Sequence, residues 1–198
     1  MTAADVIAAW DRADPTAIHP TRRISENAYR ESGEAQARML AGVLPDGCRV
    51  LDFGCGDGRV SIPLHALGYH VTAADASQVM LDRLAAREPA IATVQSDGAG
   101  LYSAIGRKAD AAVCLAVLIH HDYSDGEQII AGLREAVKTS GLLVLDWPVA
   151  DEPSEGATWI SVTTWSAEQQ AEVCRRVGLK RIDSDLPWGV FKAVKGTP

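Results

Sequence analysis

The chain has no C-x-x-C pair and no histidine at zinc-ligand spacing, and its four cysteines, Cys48, Cys55, Cys114 and Cys174, are scattered. That excludes a disulfide framework and gives no reason to expect a metal; reduced thiols are the expectation, with Cys114, inside an apolar strand, a small buried hydrophobe. Basic residues are also short: 19 Lys and Arg stand against 26 Asp and Glu, a formal net charge of −7. Phosphate backbones are held by clustered Lys and Arg, so a broad nucleic-acid surface is disfavoured. The strongest apolar run, Val113–Ile119, falls far short of the roughly 20 residues that span a bilayer, so no membrane partner is expected. The first residues, MTAADVIAAWDRAD, lack a basic segment followed by an uninterrupted apolar one, and the expected location is cytoplasmic.

What remains is an ordinary globular composition, 47% hydrophobic and 23% charged, over 198 residues. One domain over 1–198 is expected, with residues 1–45 a helical lead-in and 46–198 the core. Helix-like apolar spacing covers 3–11 and 26–44, and Pro45-Asp46-Gly47 ends the second as a turn. Strand and helix then alternate. Strands are expected at Arg49–Phe53, His70–Ala74, Ile91–Gln95, Ala109–Val117 and Gly141–Trp147, and helices at Arg59–Leu67, Ser77–Arg87 and from about Asp125, with Asp125 as cap and Gln128 reaching back. Ser166-Ala-Glu-Gln169 reads as a capping box for a helix to Val177, and Leu179–Asp185 and Val190–Lys195 as strands whose short link makes them antiparallel. Apolar strands separated by helices require a parallel sheet covered on both faces. The expected fold is therefore α/β and doubly wound, with a mostly parallel seven-stranded sheet and an antiparallel C-terminal strand.

LDFGCGDGRV, residues 51–60, carries the functional signal: Asp52, then Gly54, Gly56 and Gly58 at two-residue intervals after a strand. Such a loop offers bare backbone and exposed amides to a ligand. Its spacing is not G-x-G-x-x-G, and an aspartate beside the first glycine suits a cationic ligand better than a pyrophosphate.

From about Tyr29 onward the chain resembles the class I S-adenosylmethionine-dependent methyltransferases. The resemblance implies that Asp52, Gly54, Cys55, Gly56 and Gly58 form the loop under the methionine part of S-adenosyl-L-methionine. Asp75, in VTAADAS and 21 residues after Gly54, resembles the acidic residue that accepts both ribose hydroxyls, with Ala76 beside it. Asp97 and Gly98 resemble the adenine-recognising segment, and Ala116 and Val117 the backbone that faces methionine and acceptor. Tyr29 and Arg30 precede the first core strand and can cover the methionine end, although burial of the Tyr29 ring in the core is an equal reading. Asp57 is read as a favourable charge at a helix start, and Arg59 as solvent-facing.

Methyl transfer needs a base only when the nucleophile carries a proton, and His120 and His121 stand where the family's acceptor site opens, as candidate general bases with Asp122 as a possible orienting group. A packing role for both histidines competes with that reading. Trp147, Trp159, Trp165 and Trp188 suit an apolar or aromatic acceptor, with at least two of them expected in the core. No Asn/Asp-Pro-Pro-Tyr/Phe sequence follows the fourth strand, which with the acidic charge points to a small-molecule acceptor rather than a nucleic acid. The alternatives are a non-catalytic domain that binds S-adenosylmethionine or S-adenosylhomocysteine as sensor or partner subunit, and a nucleotide-dependent oxidoreductase. Acceptor identity, nucleophilic atom and oligomeric state are left open by the sequence.

Overall fold

Neighbouring side chains of Arg49–Phe53 enter two different cores: Leu51 and Phe53 pack on one side of the strand and Val50 on the other. A strand buried on both faces cannot alternate apolar with polar residues, which explains the continuous apolar runs of the sequence. The computed structural model describes residues 3–19, 22–156 and 162–195. Its strands are β1 (Ala17–His19), β2 (Arg22–Arg23), β3 (Arg49–Phe53), β4 (His70–Asp75), β5 (Ala92–Gln95), β6 (Ala109–Cys114), β7 (Val137–Leu145), β8 (Leu179–Ile182) and β9 (Gly189–Ala193). The helices are α1 (Ala3–Asp11), α2 (Glu26–Ala41), α3 (Ser61–Ala66), α4 (Gln78–Arg87), α5 (Leu101–Ile105), α6 (Tyr123–Ala136) and α7 (Ala167–Val177), with a 3-10 turn at Leu118–His120.

β3 to β9 form one sheet in the order β5-β4-β3-β6-β7-β9-β8. All pairings are parallel except those of β9, which runs antiparallel to both β7 and β8. Side chains of α2, α3 and α4 fill one face (Leu40, Leu64, Leu84), and those of α5, α6 and α7 the other (Leu101, Leu133, Val173). The doubly wound sheet with its antiparallel final strand is as expected. The chain steps outward from β3 to β5, then returns to start β6 on the other side of β3. That reversal opens a crevice beyond the carboxyl ends of β3 and β6. Among the described residues no helix is long and apolar enough to cross a membrane.

Several boundaries differ from expectation. β6 stops at Cys114 rather than Val117, because Ala116 adopts a left-handed conformation (φ 56°) that no strand accommodates. α6 starts two residues early: Asp122, not Asp125, is the cap, its side chain accepting from Asp125 N at 2.8 Å. β7 continues directly from α6 at Val137, and residues 138–141 bulge out before pairing with β6 resumes at Leu142. The lead-in is not wholly helical, since β1 and β2 pair as a small antiparallel hairpin.

Candidate functional site

The glycine loop follows β3 and is tied to β4: the amides of Gly54 and Cys55 both donate to Ala74 O, at 2.8 and 3.1 Å. Gly54 has φ 72°, and a Cβ there would sit 2.1 Å from Val117 Cγ2, so the segment after β6 can approach the loop only over a glycine. Loop and segment together wall a cavity of about 250 Å³ at the crevice. Its lining includes Tyr29, Asp52, Gly54, Cys55, Gly56, Asp75, Ala76, Asp97, Ala116, Val117, His120 and His121, all anticipated from the sequence. Gly58 and Gly98, also anticipated, are outside that lining. Gly58 turns toward Leu84 of α4, where a Cβ would meet Cδ1 at 2.4 Å, and Gly98 packs against Ile129. Both glycines serve close packing in this structure.

Three carboxylates come from successive strand ends. Asp52 is buried and accepts from Ser61 Oγ at 2.5 Å; burial pushes its carboxyl up to about 6, against the opposing pull of the Ser61 bond and of Arg59. Asp75 is likewise raised by burial, although Oδ2 accepts from Gly56 N and Oδ1 from Ser77 N, each at 2.9 Å. Each oxygen has a second lone pair for a ligand donor. Asp97 is exposed at the cavity edge, with Oδ1 accepting from Ala99 N at 3.0 Å.

On the opposite wall, the left-handed Ala116 is held by Asp146, whose Oδ2 accepts the Ala116 amide at 3.2 Å. The 3-10 turn that follows delivers His120 and His121 to the cavity. His121 Nδ1 is 3.9 Å from Asp125 Oδ2, and burial lowers its pKa more than Asp125 and Asp122 raise it. The carboxylate beside the imidazole is therefore Asp125; Asp122 is occupied as the helix cap. Because α6 begins early, Asp125 and Gln128 are free of capping and line the cavity.

The N-terminal elements close the cavity with Val6, Ile7 and Trp10 of α1 and Ala17 and Ile18 of β1. Asp11 accepts from Ser77 Oγ at 2.5 Å, and Arg83 Nη1 donates to Ala13 O at 2.9 Å, fastening this part to α4. Tyr29 is both buried and at the cavity wall, so neither sequence reading excludes the other. Its hydroxyl donates to Asp57 Oδ1 at 2.5 Å, and burial and the Asp57 charge raise its pKa. Arg30 is instead exposed and paired with Glu34 at 2.8 Å. One expectation is corrected here: Arg59 lines the cavity rather than facing solvent; Asp57 is buried. Trp147 and Trp165 are core residues, Trp188 is partly buried behind the sheet, and Trp159 lies outside the described residues. Among the described residues, Trp10, which no motif marks, is the tryptophan that reaches the cavity.

A profile of the methyltransferase-domain family matches residues 50–141, from β3 into β7, the stretch holding the glycine loop, Asp75, Asp97 and both histidines. That match, to a methyltransferase domain, takes in just under half of the chain. The chain is 27% identical over 165 residues to the ubiquinone biosynthesis O-methyltransferase of Cereibacter sphaeroides, covering 74% of this chain and 66% of that protein. It is 38% identical over 110 residues to the chloroplastic magnesium protoporphyrin IX methyltransferase of Arabidopsis thaliana, covering 54% of this chain and 33% of that one. The chain thus matches just under two thirds, or less, of the length of these curated relatives. The magnesium protoporphyrin IX methyltransferase of Synechocystis PCC 6803, solved with bound S-adenosylmethionine, has the same fold at a TM-score of 0.62 and 18% identity, covering 98% of this chain and 92% of that one.

Proposed function

We propose that the chain binds S-adenosylmethionine in the crevice between β3 and β6 and transfers its methyl group to a small-molecule acceptor. The observation that carries this reading is the convergence of Asp52, Gly54, Gly56, Asp75 and Asp97 on one cavity whose far side presents His120 and His121. The residues suit the cofactor. Asp52 offers a buried anion to its ammonium group, Gly54 and Gly56 place no side chain under the methionyl chain, Asp75 has two oxygens for the ribose hydroxyls, and Asp97 at the cavity edge can meet the adenine. Ala116 and Val117 wall the methionyl side, with Cys55 and Ala76 completing the lining. Bound there, the cofactor supplies a methyl carbon already activated by its sulfonium.

The chain's own task is then to align the acceptor, exclude water and remove a proton where the nucleophile has one. His121 is the better placed base. Its lowered pKa keeps the imidazole neutral near pH 7, and Asp125 stands beside Nδ1 to stabilise it once protonated. The relatives support a small-molecule acceptor in coarse terms, since one is named for ubiquinone biosynthesis and the other for magnesium protoporphyrin IX.

Calorimetry with S-adenosylhomocysteine and with NAD tests the cofactor; selective NAD binding would sink the reading. Label transfer from methyl-labelled S-adenosylmethionine to metabolite fractions tests the activity, and binding without transfer to any fraction would favour a non-catalytic sensor. Once an acceptor is found, kcat should fall as pH drops through the His121 titration, and His121→Ala should remove that limb; an unchanged profile removes the base.

A further inference from the structure

We propose that Arg59 holds the carboxylate of the cofactor's methionyl group, and that Tyr29 and Asp57 are positioning residues that keep it aimed into the cavity. The inference rests on the cofactor reading above. It starts from the charge of the cavity wall: Asp52, Asp75, Asp97 and Asp125 line it, and Arg59 is the single Lys or Arg among the described lining residues. A methionyl group carries an ammonium and a carboxylate. In a half-buried cavity with four aspartates, the carboxylate would meet only repulsion and lost hydration unless it met the guanidinium.

Arg59 is free to answer that charge. Asp57, the nearest acid in sequence, is taken: it accepts from the Tyr29 hydroxyl at 2.5 Å and pairs through Oδ2 with Arg87 at 3.1 Å. Arg59 makes no ion pair among the described residues, and its neutral contacts use one nitrogen, with Nη1 donating to Gln36 Oε1 at 2.7 Å and Ser32 Oγ at 3.5 Å. The other guanidinium nitrogens can therefore serve a carboxylate in the forked manner that suits arginine.

The side chain is also held in place. α2 lies so close to the Arg59 backbone that a Cβ on Gly33 would stand 1.9 Å from Arg59 O. One turn earlier on the same helix face, the Tyr29 ring supports the guanidinium, whose Cζ is 5.9 Å from the ring centroid. The Asp57 bond fixes that ring, and Arg87 of α4 in turn fixes Asp57 by also donating to its backbone oxygen at 2.8 Å. Arg59 and Asp52 sense one another electrostatically, Arg59 drawing the Asp52 carboxyl downward. The two supply adjacent opposite charges, the pattern that an amino-acid zwitterion requires.

The test is calorimetry on the full chain with S-adenosylmethionine and decarboxylated S-adenosylmethionine, which differ only in the carboxylate. Wild type should prefer the intact cofactor by roughly 30-fold. Arg59→Met should lose about that factor on the intact cofactor and almost nothing on the decarboxylated one, with Arg59→Lys between them. Tyr29→Phe and Asp57→Asn should narrow the same preference in part, which a merely structural role would not do. Urea unfolding of each variant identifies any that fail to fold, and the wild-type comparison needs no variant. Equal wild-type affinity for the two compounds, or an Arg59→Met loss shared equally by both, overturns the assignment. Absence of any S-adenosylmethionine binding by wild type overturns the cofactor reading itself, an outcome distinct from the first two.

Discussion

A carboxylate as deeply buried as Asp52 is kept at a cost to the fold, and its raised pKa measures that cost. Burial pushes the group up to about 6 in the folded chain, from 3.8 for an unperturbed carboxyl. Between those values the folded state binds the extra proton, so stability falls as pH rises through the window and the whole penalty is present above it. Asp52→Asn keeps an oxygen to accept from Ser61 and removes the charge. We expect it to stabilise the ligand-free protein by about 2 kcal/mol at about pH 8 and to give no gain near about pH 3.5. The same substitution should weaken S-adenosylmethionine binding. Urea unfolding at the two pH values, with calorimetry beside it, checks both halves; a variant less stable than wild type at high pH would mean that Asp52 supports the fold. Ala116 is a second residue under constraint. Its left-handed backbone is held by Asp146 at the cavity wall, and strain of this kind is tolerated where surrounding structure fixes it.

Among the elements, α1 closes the cavity from the N-terminal side. It places Val6, Ile7 and Trp10 over the cavity, and its fastenings to α4 include the Asp11–Ser77 hydrogen bond and, just beyond its end, the Arg83–Ala13 bond. Asp11→Ala removes the first while leaving Ser77 Oγ to cap α4 through Met80 N. Amide exchange over residues 5–11 should then quicken by about tenfold, because local opening follows the few contacts that oppose it, and β3 and β6 should be unaffected. Uniform quickening across the sheet would instead mark α1 as part of the global fold. The elements also differ in how far they could be read from sequence. β3, β6 and the second half of β7 were legible because they are buried on both faces and most of their residues are apolar. α5 was not, since five residues between the left-handed Gly100 and Gly106 are too few to show helical periodicity. β2 is two exposed arginines and carries no hydrophobic pattern. The start of α6 was misplaced because Asp122 and Asp125 are both good caps. The three carboxylates Asp52, Asp75 and Asp97 were legible because each stands at or just beyond the end of a strand, whereas the roles of Arg59 and Asp125 depend on contacts with α2 and on the register of α6, which no local pattern encodes.

At the scale of the molecule, the cavity is a joint between two halves of the sheet. Asp52, Asp75 and Asp97 come from β3, β4 and β5, while Ala116, His121 and Asp125 come from β6 and the start of α6, and Trp10 and Tyr29 from the N-terminal helices. A ligand that spans this joint contacts elements on both sides of the β3–β6 seam, and the unfolded chain, in which those residues are dispersed, has nothing equivalent to bind it. Stabilisation should therefore be global. At a ligand concentration 100 times its Kd the expected gain is about 2.7 kcal/mol, which for a chain of this size raises Tm by about 5 to 10 °C. Thermal unfolding with S-adenosylhomocysteine should show a single transition moved by that amount, with tryptophan fluorescence and far-UV circular dichroism coinciding. NAD at the same concentration should leave Tm unchanged. Two separated transitions, one insensitive to the ligand, would mean that the halves unfold independently and that the cavity does not couple them.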